Sequence, residues 1–159
     1  MWGIDMKLLF VCTGNTCRSP MAVGLFLKTM RLKGMKIDAF SVASAGLMTI
    51  DGLEASEFAV EVLNDKGVDI SGHRSKRLTV EMVEEADLIL TMTLAHKIAV
   101  IQMSGFANPK TFTLKEYANY EDNNTDIADP FGMDMDAYRQ CAEEILAALE
   151  LIVNKITGE

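Results

Sequence analysis

The chain has 159 residues, 49% hydrophobic and 24% charged, enough for one domain around a single core. A formal net charge of −8 argues against a nucleic-acid-binding surface or an anionic-membrane partner. Its three cysteines, an odd number without tight spacing, exclude a disulfide framework and fit a reducing cytoplasm.

The pattern alternates strand and helix. Residues Lys7 to Val11 read as a first buried strand. This apolar run is too short for a signal-peptide core of at least ~7 residues or a membrane span of ~20. Met6 offers an alternative start, which would make the residues before it a short extension of a single 1–159 domain. Pro20 to Lys33 reads as an apolar-rich helix stopped by Gly34, and Ile37 to Ser44 as a second strand closed by Gly46. Ala55, Phe58, Ala59, Val62 and Leu63 have helical spacing, with Gly67 as the stop. Thr79 caps a short helix through Glu85, and Asp87 to Thr91 forms a third strand. Thr93 caps a helix with Leu94, Ile98 and Ile101 on one face, and Thr111 to Thr113 reads as a short fourth strand. A polar loop covers Glu116 to Met133. The last helix, Asp134 to Ile156, buries Tyr138, Cys141, Ile145, Leu149, Ile152 and Ile156. Elements alternating in this way predict an α/β fold, a four-stranded parallel sheet with helices on both faces. Eleven scattered methionines read as core filler.

Residues Cys12 to Pro20 read C-T-G-N-T-C-R-S-P, directly after the first strand. A thiol, a guanidinium six positions on and a row of backbone N–H groups converge at the start of a helix, where Ser19 fits the N-cap and Pro20 the first helical position. Such a point binds a dianion and lowers a thiol's pKa. The combination spells phosphoryl transfer through a phosphocysteine. Bare Cys-x5-Arg spacing is a weak signal; the strand before it, Gly14 within it and the apolar helix after it make it specific. A structural cysteine on a tight turn is the bland reading.

These residues resemble the loop of the low-molecular-weight protein tyrosine phosphatases. The resemblance runs through nearly the whole chain, with S-A-G at Ser44 to Gly46, A-D-L-I-L at Ala86 to Leu90, T-L-K-E-Y at Thr113 to Tyr117 and D-P-F-G at Asp129 to Gly132. It implies the family's flavodoxin-like fold and a cysteine-dependent protein phosphatase without a metal or cofactor, acting on phosphorylated proteins. No metal motif stands against that, since histidine is scarce and the cysteines lack ligand spacing.

On this reading Cys12 is the nucleophile and Arg18 the phosphate clamp. The amides of Thr13, Gly14, Asn15, Thr16, Cys17 and Arg18 cradle the phosphoryl oxygens. Asn15 suits a left-handed backbone position, and the family pattern implies that Ser44 and His73 brace its side chain. Ser19 either caps the helix or donates to the Cys12 thiolate. Asp122, Asp126, Asp129, Asp134 and Asp136 are all candidate general acids, and the residues alone do not choose. The resemblance implies Asp129, since Asp-Pro in this loop is the family's acid. Cys17 is either a loop residue or a redox partner for Cys12. Cys141 reads as core, and His96, on a helix among polar neighbours, is assigned no role.

Tyrosine-directed members usually carry an aliphatic residue at the position of Thr16 and aromatic residues after Asp-Pro. Here Thr16 and Phe131-Gly132 stand in those places. Both look like the protein-arginine phosphatase branch, because a hydroxyl in the pocket floor suits a polar phosphoguanidinium better than a ring. The alternatives are a tyrosine phosphatase with drifted pocket residues, an arsenate reductase, and a non-catalytic phospho-residue binder. A reductase needs downstream cysteines, and none lies between Cys17 and Cys141. A binder needs neither thiol nor acid.

Overall fold

Leu8, Phe10 and Cys12 alternate with Leu9 and Val11 along the first strand. The first set joins the larger core cluster and the second set the smaller one on the other side of the sheet. Burial on both faces is why the segment is a continuous apolar run. The computed structural model describes residues 6–120 and 123–158. The candidate extension before Met6 and the candidate acid Asp122 lie outside these described residues.

The strands are β1 (Met6–Cys12), β2 (Phe40–Gly46), β3 (Leu88–Thr91) and β4 (Thr111–Thr113). All pair parallel in the order β2-β1-β3-β4. The helices are α1 (Arg18–Leu32), α2 (Glu57–Asp65), α3 (Val80–Glu85), α4 (Leu94–Met103), α5 (Leu114–Tyr117) and α6 (Met135–Thr157). Helices α1, α2 and α6 pack on the larger cluster, while α3 and α4 pack on the smaller. The strand order reverses between β1 and β3, so the carboxyl end of β1, at Cys12, stands at the switch point where such sheets bind ligands. No helix among the described residues is long and apolar enough to cross a membrane.

The α6 stripe is buried as expected, and Asp134 caps the helix by accepting from the Ala137 N–H at 3.0 Å. Several expectations change. Helix α1 begins at Arg18, so Ser19 is not its N-cap; it is fully buried in the first turn, its hydroxyl bonded into the loop. Strand β2 starts at Phe40, because Ile37–Ala39 wind into a 3₁₀ turn. Helix α4 is rotated from the expected face: Ile101 packs on the smaller core, but Leu94 and Ile98 are exposed, while His96 and Val100 are buried. Its rotation is set by Val100 in the smaller core together with polar ties, Leu94 N–H to Asp126 Oδ1 at 2.8 Å and His96 Nε2 to Thr13 Oγ1 at 2.8 Å. The polar loop begins only after α5, whose Thr113–Glu116 pair forms a reciprocal capping box. The methionines also divide. Met21, Met30 and Met92 are core, but Met48 and Met133 are exposed.

Candidate active site

The loop from Cys12 to Arg18 is held from outside by its carbonyls. Cys12 O accepts from Leu47 N–H (3.0 Å), Thr13 O from Met48 N–H (2.9 Å), Thr16 O from Ser56 N–H (2.8 Å) and Cys17 O from Met21 N–H (3.2 Å). The Asn15 carbonyl lies 2.7 Å from His73 Nε2. The described peptides include no cis bond. In a trans peptide the next N–H points away from the carbonyl, so the amides of Thr13, Gly14, Thr16, Cys17 and Arg18 turn away from these outer partners. This is the nest of donors that an anion needs.

Asn15 is the hub. Its φ of 57° is left-handed, a conformation that Asn tolerates. Its Nδ2 donates to Ser19 Oγ at 2.7 Å and Ser44 Oγ at 2.9 Å, and its Oδ1 accepts from Lys76 N–H at 2.8 Å. The expected bracing by Ser44 is present. His73 grips the backbone instead of the side chain, and the Lys76 amide takes the place foreseen for it. Gly46 passes so close that a Cβ there would stand 2.7 Å from Thr13 O.

Cys12 Sγ lies 2.9 Å from Ser19 Oγ and accepts from Asn15 N–H at 3.3 Å. Because Ser19 Oγ already accepts from Asn15, its own proton is available to the sulfur. Of the two readings of Ser19, the structure brings together the second. Burial pushes the Cys12 thiol above its ordinary value, with the Ser19 hydroxyl and amide, the Arg18 charge and the Asn15 amide pulling against it. The expected lowering is therefore not what the geometry gives: these donors moderate the cost of burial without overcoming it.

Arg18 is buried, with Nη1 donating to Ile127 O at 2.8 Å and Nη2 to Thr13 Oγ1 at 3.4 Å. Asp129 Oδ2 stands 3.5 Å from Nη2, and its carboxylate is 47% exposed. The other described candidate acids are occupied elsewhere. Asp126 holds the start of α4, Asp134 caps α6, and Asp136 pairs with Arg139 at 2.8 Å. Asp129 Oδ1 accepts from Phe131 N–H at 3.1 Å, which folds the chain around Pro130.

Cys12, Thr16, Cys17, Arg18, Asp129 and Phe131 line one cleft of about 630 Å³. Its wall is apolar and exposed, made of Met48, Ile50 and Leu53 with Phe131. The sequence reading did not find Met48, Ile50 or Leu53. Cys17 Sγ is held by Tyr138 OH at 3.3 Å and Ser56 Oγ at 3.5 Å, and Tyr138 is pushed up to about 12, first by burial and then by that thiol. All three cysteines are free thiols, and burial drives Cys141 up to about 12, as suits an inert core residue. His73 is lowered by burial. His96, unassigned from sequence, is buried against Thr13 and lowered to about 4, first by burial and then by Arg18.

A thiol, an arginine and a ring of amides at the switch point of a parallel sheet, with an aspartate across the cleft, define a cysteine-dependent phosphatase. Residues 7–159 match the family described as low molecular weight phosphotyrosine protein phosphatase. The protein-arginine-phosphatase of Geobacillus stearothermophilus is 40% identical over 153 residues, covering 96% of this chain and 97% of that protein. A YwlE arginine phosphatase, a cysteine-to-serine mutant with a phosphorylated active-site serine, superposes with a TM-score of 0.88 at 37% identity, covering 97% of both chains. The low molecular weight protein tyrosine phosphatase of T. tengcongensis superposes at 0.84 with 41% identity, covering 94% of this chain and 99% of that one. The chain belongs to the low molecular weight phosphotyrosine protein phosphatase family.

Proposed function

We propose that this protein is a protein-arginine phosphatase working through a phosphocysteine on Cys12. The Cys12 thiolate, its proton released to water, attacks phosphorus. The P–N bond to the substrate guanidine breaks, and that nitrogen takes the proton of the Asp129 carboxyl. Water then attacks phosphorus while Asp129 takes back a proton. The S–P bond breaks and inorganic phosphate leaves. Arg18 and the amides from Thr13 to Arg18 hold the equatorial oxygens through both steps. The phosphorylated serine of the similar YwlE mutant supports a phosphoryl carrier at the cysteine position.

The observation carrying the substrate is Thr16, whose hydroxyl-bearing side chain lines the cleft beside Cys12 and Arg18. The arginine-phosphatase relatives support the same reading. The substrates are phosphorylated proteins met in a reducing cytoplasm, and residues 7–159 act as one phosphatase domain. A net charge of −8 favours a protein substrate over nucleic acid or an anionic membrane. One observation favours a second reading. The apolar wall of Met48, Ile50, Leu53 and Phe131 would also receive an aromatic ring, as a tyrosine phosphatase requires. Turnover of a phosphoarginine protein against a phosphotyrosine peptide decides. A higher kcat/KM for phosphoarginine is expected, and preference for phosphotyrosine overturns the arginine reading.

A further inference from the structure

His96 is a buried polar side chain that the chemistry above leaves unused. It sits in the first turn of α4, 7% exposed, its N–H donating to the Thr93 hydroxyl that caps the helix. Its Nε2 is 2.8 Å from Thr13 Oγ1, the same oxygen that accepts from Arg18 Nη2 at 3.4 Å. A helix on the opposite side of the sheet from α1 thus reaches the guanidinium through one hydroxyl. The ring's Nδ1 is buried and finds no hydrogen-bond partner among the described residues.

That unpaired nitrogen costs stability, which a hydrocarbon filling the same space would not. It also fixes the charge of the ring. An imidazolium donates from both nitrogens, and only Nε2 has a partner here. The charged groups facing the ring are Arg18, Asp126 and Asp129, and burial with Arg18 outweighs the two carboxylates. The ring is neutral in the physiological range, and either neutral tautomer pairs with Thr13 while leaving a lone pair of Oγ1 for Arg18.

We propose that His96 is a positioning residue for the phosphate clamp: its neutral ring locks the Thr13 hydroxyl in the rotamer that anchors Arg18. Arg18 has a backbone anchor at Ile127 O on its other arm. The Thr13 hydroxyl completes the fork, and without His96 that hydroxyl rotates among its staggered wells. The role rests on the phosphatase reading of the site.

The test is a double-mutant cycle on an aryl phosphate, with inorganic phosphate as competitive inhibitor. His96→Ala should lower kcat/KM roughly three- to tenfold, the worth of one hydrogen bond, and weaken phosphate inhibition by a similar factor. His96→Gln, which can return a donor near the Nε2 position, should recover most of the loss. In a Thr13→Val background, His96→Ala should cost nothing further, since the pathway is already cut. A merely structural role would lower Tm and multiply with Thr13→Val. Unchanged kinetics in His96→Ala, or a full additional loss on top of Thr13→Val, overturns the role. If His96→Ala does not fold, His96→Gln and Thr13→Val decide: an inactive Gln variant or a fully active Val variant overturns it. An inactive wild type overturns the phosphatase reading and this role together, whereas an active wild type beside an unchanged variant overturns this role alone.

Discussion

Gly46→Ala adds one methyl group where β2 passes the phosphate loop. That Cβ would meet Thr13 O at 2.7 Å and the Cβ and N of Asn15 at 3.0 Å. None of these is the end of a flexible side chain. The glycine's own backbone is pinned as well, its N–H to Lys76 O at 2.8 Å and its carbonyl to Leu78 N–H at 2.9 Å. Reaching an ordinary contact of about 3.4 Å requires a displacement of about 0.7 Å, and the loop must supply it. Overpacking of this kind costs about 1–3 kcal/mol of stability. A misplacement of ~1 Å costs ~10²-fold in rate, so kcat/KM should fall by about 10- to 100-fold. Urea unfolding and steady-state kinetics on a phosphoarginine protein measure the two effects. Gly105→Ala is the control, because nothing lies within 4 Å of its Cβ. A Gly46→Ala enzyme with wild-type kcat/KM would refute the claim that the loop's position is set by this contact.

Cys12→Ser should abolish turnover yet still bind inorganic phosphate, because Arg18 and the amides remain; phosphate release above a trace would sink the phosphocysteine step. Asp129→Ala should slow the chemical step by roughly 10² to 10⁴, more for poor leaving groups. Asp134→Ala should instead lose about 1 kcal/mol of stability with its cap, as urea unfolding reads, and the opposite pattern would move the acid elsewhere. Thr16→Ile should lower kcat/KM for phosphoarginine and raise it for phosphotyrosine, reordering the two by about 10- to 200-fold, and parallel assays showing an unmoved preference would remove Thr16 from specificity. His96 gives a stability signature with a definite sign. Its folded value of about 4 lies below its ordinary 6.5, so between these values the unfolded chain binds the extra proton. Stability contributed by the neutral ring is complete above 6.5 and lost as pH falls toward 4, by about 1–3 kcal/mol after allowance for solvent screening. The urea midpoint of wild type should fall relative to that of His96→Gln as pH falls through that window; parallel curves would refute the assignment.

Cys12, Arg18 and the loop between them were legible because strand, turn and helix follow one another within ten residues, so local rules apply. The α6 stripe was legible for the same reason. What escaped involves partners far apart in the chain. His96 and Thr13 are 83 positions apart, and nothing local marks either as the other's partner. The face of α4 was misread because polar ties at Leu94 and His96 act with Val100 in the smaller core to set it. Ser19 looked like a cap because Ser-Pro favours one, while Asn15 and Cys12 compete for its hydroxyl and win. Helix α5 had a readable signal, the Thr113-x-x-Glu116 box, which the surrounding polar loop obscured. The Cys12 thiol was misjudged because spacing reveals the donors around a sulfur but not how deeply it is buried.

The guanidinium of Arg18 rests on the carbonyl of Ile127, 109 positions later in the chain. A polypeptide emerging from the ribosome carries Cys12 and its loop early, yet lacks that support until 109 further residues have been made. Contacts between residues so far apart in the chain form slowly, after local helices have formed. During refolding, turnover should therefore return with the last long-range contacts rather than with collapse of the core, which makes enzymatic activity a clock for the final step of folding.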